Sequence, residues 1–151
     1  MSVAPIPAGP RVRPYLACHD AAAAIEFYRE VFGMELRSCL RMGESIAHAE
    51  LTGIDIILYV SDEFPQMGVT SPKSLGGRAV SLMLYVEDVD AVVATALQLG
   101  ATQEGETKDE FHGDRSAKIV DPFGHRWFVS TRIEEVSQEE VERRFAKMMG
   151  G

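Results

Sequence analysis

Apolar and polar positions change period several times along the chain, and each change marks an element. Val12, Leu16 and Cys18 alternate with Arg13, Tyr15 and Ala17, the period of a strand, and Pro14 places that strand at an edge or its first residues at a strand start. The period then becomes helical. Ala21, Ala24, Ile25, Tyr28, Val31 and Phe32 form one stripe, with Asp20 as N-cap and Gly33 where a left-handed C-terminal cap belongs. Three strands follow, Met34 to Arg41, Ser45 to Leu51 and Ile54 to Val60, joined by tight turns at Met42-Gly43-Glu44 and Thr52-Gly53. Residues 61–78 hold two prolines, three glycines and no period, so they are expected to form a long loop, a lid or a linker.

After that loop the same grammar restarts. Val80, Leu82, Leu84 and Val86 alternate with Ser81, Met83 and Tyr85; Asp88 caps a helix carrying Val89, Val92, Val93 and Ala96 inward to Gly100. Thr102 to Lys108, Arg115 to Asp121 and Arg126 to Arg132 are three further strands. Setting Asp20 against Asp88 pairs Arg13 with Ser81, and setting Gly43 against Gly113 pairs Leu58 with Phe128. The order βαβββ therefore occurs twice. The expected fold is α+β: within one domain over 1–151, a first module at 11–61, a linker at 62–78 and a second module at 79–133, the sheets curving around a cleft. Val136-Ser137-Gln138-Glu139-Glu140-Val141 is a capping box with a hydrophobic staple, which starts a C-terminal helix at 136–149.

Composition narrows the function classes. With 15 Lys+Arg against 23 Asp+Glu the formal net charge is −8, and no basic cluster stands out, which argues against a nucleic-acid partner. No apolar run approaches the ~20 residues of a membrane span and no signal peptide opens the chain, so no membrane partner and a cytoplasmic location are expected. Cys18 and Cys39 are too few for a secreted disulfide scaffold and not spaced as a metal pair.

The local words, in order, resemble a known superfamily. Asp20-Ala-Ala-Ala-Ala-Ile25-Glu-Phe-Tyr28, Val31-Phe-Gly33, His48-Ala-Glu-Leu51, Ser71-Pro-Lys-Ser-Leu-Gly-Gly77, Tyr85-Val-Glu-Asp-Val-Asp90, Gly113-Asp-Arg115 and Asp121-Pro-Phe-Gly-His125-Arg-Trp127 resemble the vicinal oxygen chelate superfamily. Within it they look like the PhnB-like branch of glyoxalase/bleomycin-resistance proteins. The resemblance implies paired βαβββ modules, a homodimer, and either metal-dependent chemistry or metal-free sequestration of small molecules. In its metal enzymes the ligands are His, Glu or Gln on the first and last strands of each module. Carried onto this chain those places fall at Arg13, at Leu58 or Ile57, at Ser81 and at Phe128. An arginine, an aliphatic, a serine and a phenylalanine do not supply the lone pairs a divalent ion needs, so no metal and no cofactor are expected.

Strand parity supplies candidates in place of the missing ligands. If Leu82, Leu84 and Val86 face the helix, then Ser81, Met83 and Tyr85 face the cleft, and with them Arg13, Tyr15, His48, Glu50, Leu58, Lys118, Arg126 and Phe128. This mixture suits an amphiphilic or aromatic small-molecule ligand. His48 and Glu50 share a strand face and are the candidate catalytic pair, a base with an orienting carboxylate or two legs of a displaced metal site, set against local structural pairing of Glu50 with Arg13 or Lys118. His112 and Arg115, flanking a turn glycine, are candidate ligand contacts at the cleft mouth. His125 and Trp127 fall on the helix side as core. Three function classes stay open: metal-independent small-molecule binding, a lyase or isomerase acting on a carbonyl substrate through His48 and Glu50, and an interaction module with a vestigial cleft.

Overall fold

In the computed structural model, residues 2–151 are described and fall into two compact units that divide between Gly77 and Arg78. The architecture is mixed α+β, with one sheet and one sheet-packed helix in each unit.

The first unit runs β1 (Tyr15–Cys18), α1 (Ala21–Phe32), β2 (Glu35–Met42), β3 (Ser45–Gly53) and β4 (Ile56–Asp62), and its sheet has the order β1-β4-β3-β2. β1 lies parallel to β4 and the other pairs are antiparallel. The helix starts and stops where its sequence dictates: the Asp20 carboxylate accepts from the Ala23 N–H at 3.0 Å, and Gly33 takes a φ of 65°. Its buried stripe of Ala24, Ile25, Tyr28 and Val31 covers the sheet face that carries Leu16, Cys18, Ala49, Leu51, Leu58 and Val60. The opposite face of the sheet is open to Tyr15, Ala17, His48, Glu50, Tyr59 and Ser61.

The second unit runs β5 (Ser81–Tyr85), α3 (Val89–Gln98), β6 (Thr102–Gln103), β7 (Lys108–Asp109), β8 (Asp114–Val120) and β9 (Arg126–Arg132), following α2 (Pro72–Leu75) of the first. Its sheet has the order β5-β9-β8-β6, with β7 also paired to β8. Here α3 covers Ala117, Ile119, Trp127 and Val129. The Trp127 indole N–H is satisfied by Asp121 at 2.9 Å, and the same carboxylate holds the turn through the Phe123 and His125 N–H groups. A helix α4 (Gln138–Met148) follows, its N-terminus capped by Ser137, whose hydroxyl accepts from the Glu140 N–H at 3.2 Å. Arg144 ties α4 to its own unit through the Phe111 carbonyl and Glu134.

The two units close their helices onto their sheets by the same device. The Ala21 N–H donates to Asp62 at 2.9 Å in the first, and the Val89 N–H donates to Thr131 at 2.8 Å in the second. In each case a side chain at the end of the module's last strand satisfies an orphan donor of the helix's first turn.

Three sequence expectations are corrected. The stretch after β4 is not without structure. A 3₁₀ turn at Pro65–Met67 and the short α2 occupy it, the latter set by Ser71 as N-cap, Pro72 in the first turn and Gly76 with a φ of 73°. The strand expected over Thr102 to Lys108 is two short pieces, β6 and β7. Leu58 is fully buried beneath α1, and its neighbour Tyr59 takes the open face. The cause lies in register. β3 carries a bulge at Ala47, where Arg41 pairs with Ile46 and Leu40 with His48, and the β8–β9 turn is longer than the β3–β4 turn. The ladders therefore equate Ala49–Val60 with Ala117–Val129, which puts Tyr59 opposite Phe128 and breaks the gapless pairing of the repeats.

Candidate functional site

The open face of the first sheet gathers a connected polar and aromatic cluster. Tyr15 on β1 and Glu50 on β3 both stand opposite Tyr59 on β4, so three strands bring these side chains into one row. The bulge turns Ala47 and His48 away from the helix while Ile46, Ala49 and Leu51 stay buried against it. His48 thereby reaches Tyr15: its Nδ1 lies 2.6 Å from the Tyr15 hydroxyl, with the rings edge to face at 5.4 Å. The imidazole also lies 4.7 Å from the Tyr59 ring. Partial burial, and then the neighbouring Tyr59, push the Tyr15 phenol above its ordinary pKa.

Arg13 lies just before β1 and is held from four sides. Its Nε donates to the Pro10 carbonyl and its Nη2 to the Ala8 carbonyl, each at 2.9 Å, while Nη1 donates to the Tyr59 hydroxyl at 2.6 Å and lies 3.8 Å from Glu50. The candidate pair His48 and Glu50 thus divides between two partners, His48 to Tyr15 and Glu50 to Arg13. Tyr59, which sequence parity passed over, is the centre of the cluster. The run Ile56-Ile57-Leu58-Tyr59-Val60 is apolar on both faces, so it carries no alternation from which to read which side each residue takes.

Beside this cluster is a cavity of about 440 Å³, lined by Tyr15, Ala17, Ala47, Ser61, Phe64, Met67, Gly68, Val69 and Thr70. Its floor is the sheet; its outer wall is the strap after β4. Phe64 and Val69 bridge to each other across the 3₁₀ turn, and Glu63 fastens the strap by accepting from the Ser71 N–H at 2.7 Å. Hydrogen bonds from the Ser74 hydroxyl, the Ser71 hydroxyl and the Ser71 N–H hold the Glu63 carboxyl down at about 2.

On the second sheet the open face carries Ser81, Met83 and Tyr85 from β5, Arg126, Phe128 and Ser130 from β9, and Ser116 and Lys118 from β8. Met83, Phe128 and Lys118 share one row; Tyr85, Ser130 and Ser116 share the next. Most of its polar groups are paired. Arg126 forms a two-point bridge to Glu104 at 2.6 and 3.0 Å, and Tyr85 donates to the buried Asp114 at 2.7 Å. Asp114 also accepts from Arg132, and His112 lies 3.5 Å from it. Arg115 is bound to Asp90 at the start of α3 and to Asp109 on β7. His112 and Arg115 therefore both lie in turn-fixing carboxylate networks.

The resemblance places the donor side chains of the family's metal enzymes at Arg13, at Leu58 or Ile57, at Ser81 and at Phe128, and the observed register moves the second of these to Tyr59. A guanidinium and a phenyl ring have no lone pair to give a cation, and the Tyr59 oxygen already accepts from Arg13. Among the described residues no group of three or more His, Cys, Asp and Glu side chains converges to hold an ion. The donor set does not fit the family's metal centre. Likewise, among the described residues no helix is long and apolar enough to cross a membrane.

Helix-backed βαβββ units, each with one open sheet face, define the vicinal oxygen chelate fold. Residues 14–130 match the model of the glyoxalase-like domain, and the chain belongs to that family. It is 36% identical over 137 residues to an uncharacterised protein of Mycobacterium bovis, an alignment that covers 88% of this chain and 90% of the relative. Among solved structures it is similar to TioX from Micromonospora sp. ML1, with 25% identity, a TM-score of 0.64, and coverage of 83% of this chain and all (100%) of that one. The fosfomycin resistance protein FosX from Listeria monocytogenes shares the fold at 14% identity and a TM-score of 0.64, over 89% of this chain and 97% of its own.

Proposed function

We propose that this chain is a metal-independent small-molecule-binding protein whose ligand sits on the open face of the first sheet. The observation that carries it is the commitment of Arg13 to Tyr59 and two backbone carbonyls where the family's metal enzymes place a ligand, beside a cavity of about 440 Å³. That volume lies within the range of drug-sized ligand pockets, ~300–1,000 Å³, and its mixed aromatic, thioether and hydroxyl lining is what such pockets use. The test has two arms on protein purified without chelator or affinity tag. Elemental mass spectrometry with Zn, Ni, Mn and Fe titration is expected to find no stoichiometric metal, and a drug and metabolite library is expected to yield saturable binders. Stoichiometric metal lost in His48→Ala or Glu50→Ala would overturn the proposal, as would a library without a binder.

The Tyr15–His48 bond favours a second reading, proton transfer on a carbonyl substrate by a lyase or isomerase, because it sets an imidazole behind the phenol that lines the cavity. Here His48 works with Tyr15, and Glu50 acts only through Arg13 and Tyr59. A turnover found on a carbonyl substrate and unchanged in His48→Ala would end that reading.

A further inference from the structure

The cavity under the strap has a definite chemical character. Of its nine lining residues none is charged, and the polar side chains are the hydroxyls of Tyr15, Ser61 and Thr70. The nearby cation is spent, since Arg13 serves Ala8, Pro10, Tyr59 and Glu50. An anion entering this space would lose its hydration without gaining a counter-charge. Phe64, Met67 and Val69 offer instead a face of ring, thioether and branched carbon, suited to a flat apolar body.

The Tyr15 hydroxyl has one proton, and it donates that proton to His48 Nδ1 in the tautomer whose ring proton sits on Nε2. A separation of 2.6 Å to Nδ1 is short for an N–H donor and normal for an O–H donor. The chemistry agrees, because a phenol is a stronger donor than a neutral imidazole N–H and an imidazole nitrogen is a better acceptor than a phenol oxygen. With its proton committed, the Tyr15 oxygen presents lone pairs alone. Ser61 and Thr70 serve either role, so discrimination falls on Tyr15.

We infer that this cavity takes an uncharged, flat aromatic ligand bearing an O–H or N–H group, which donates to the Tyr15 oxygen while His48 holds the Tyr15 proton away. Tyr15 is the contact and His48 the residue that positions its proton. The inference rests on the small-molecule reading above and sharpens it to a ligand class.

The experiment is calorimetric titration at pH 8, above the ordinary imidazole range, with three probes of one ring system: 2-naphthol, 2-methoxynaphthalene and 2-naphthoate. 2-Naphthol is expected to bind saturably, with 2-methoxynaphthalene about threefold to tenfold weaker for want of the hydrogen bond. 2-Naphthoate is expected to be weaker than 2-naphthol by about tenfold or more. Tyr15→Phe should erase the preference for 2-naphthol over 2-methoxynaphthalene while leaving the latter within about twofold. His48→Phe should shift the preference toward 2-methoxynaphthalene, because the freed Tyr15 proton can then donate to the ether oxygen; a merely structural role for His48 would weaken all probes alike. Tightest binding by 2-naphthoate, or a ranking unchanged in Tyr15→Phe, overturns the inference. If no naphthalene probe binds but another library compound does, the ligand class is wrong and the binding reading survives; if nothing binds, both fall.

Discussion

Asp62 gives the sharpest test of how the first unit is held together. One carboxylate oxygen accepts from the Ala21 N–H at 2.9 Å and the other from the Ile46 N–H at 2.7 Å, so a single side chain clamps the start of α1 to the bulged end of β3. Both donors belong to residues that are at most 1% exposed. Removing the carboxylate in Asp62→Ala leaves two buried N–H groups without an acceptor. At ~1–3 kcal/mol for each buried orphan the loss is about 2–6 kcal/mol, a large share of a stability of ~5–15 kcal/mol. Asp62→Asn keeps one carbonyl oxygen and turns an NH₂ toward the other donor, so about half of that loss is expected, ~1–3 kcal/mol. Thr131→Val, which keeps the shape and orphans only the Val89 N–H, is expected to cost a similar ~1–3 kcal/mol in the second unit. Urea unfolding followed by circular dichroism gives the stabilities, and amide exchange should accelerate at Ala21 and Ile46 in Asp62→Ala. A loss below ~0.5 kcal/mol in Asp62→Ala, or unchanged exchange at those two amides, would refute the clamp.

Two further outcomes follow from single contacts. Glu63 titrates at about 2 in the folded chain against the ordinary 4.5, so its fastening of the strap is complete above the upper value and is lost as pH falls through the lower; proteolysis within 64–70 should therefore accelerate across that window, and Glu63→Gln should show the acid behaviour already at neutral pH. Gly113 has a φ of +100°, and a Cβ there would run into the Glu134 carbonyl oxygen. Its own carbonyl accepts from the Ile133 and Glu134 N–H groups at 3.0 Å, so Gly113→Ala should cost more than ~2 kcal/mol in thermal or urea unfolding, and a near-neutral result would refute the close approach.

Much of this molecule is local, and what is local was legible. Asp20, Asp88 and Ser137 each cap a helix as their spacing predicts, because an N-cap needs only its own side chain and the N–H three residues on. The repeated βαβββ order follows from changes of period, which every strand and helix writes into its own residues. Ser81, Met83, Tyr85, Lys118, Arg126 and Phe128 came to the open face of their sheet because β5 and the stretches of β8 and β9 around Lys118 and Phe128 alternate. The first sheet did not yield in the same way. In β4 both faces are apolar, and the bulge in β3 together with the short β3–β4 turn moved the open-face position from Leu58 to Tyr59. The partners of His48 and Glu50 were likewise beyond local pattern: a shared strand face says two side chains point the same way, while Tyr15 and Arg13 reach them from a region separated by 33 and 37 residues of chain. Sequence alone determined the longer strands, the three longer helices with their N-caps and the duplicated fold; tertiary structure decided the register, and through it which hydroxyl meets which imidazole. The physical reason is that a cap is satisfied within one turn of chain, whereas a strand's face and its cross-strand partners are fixed only when the ladder closes.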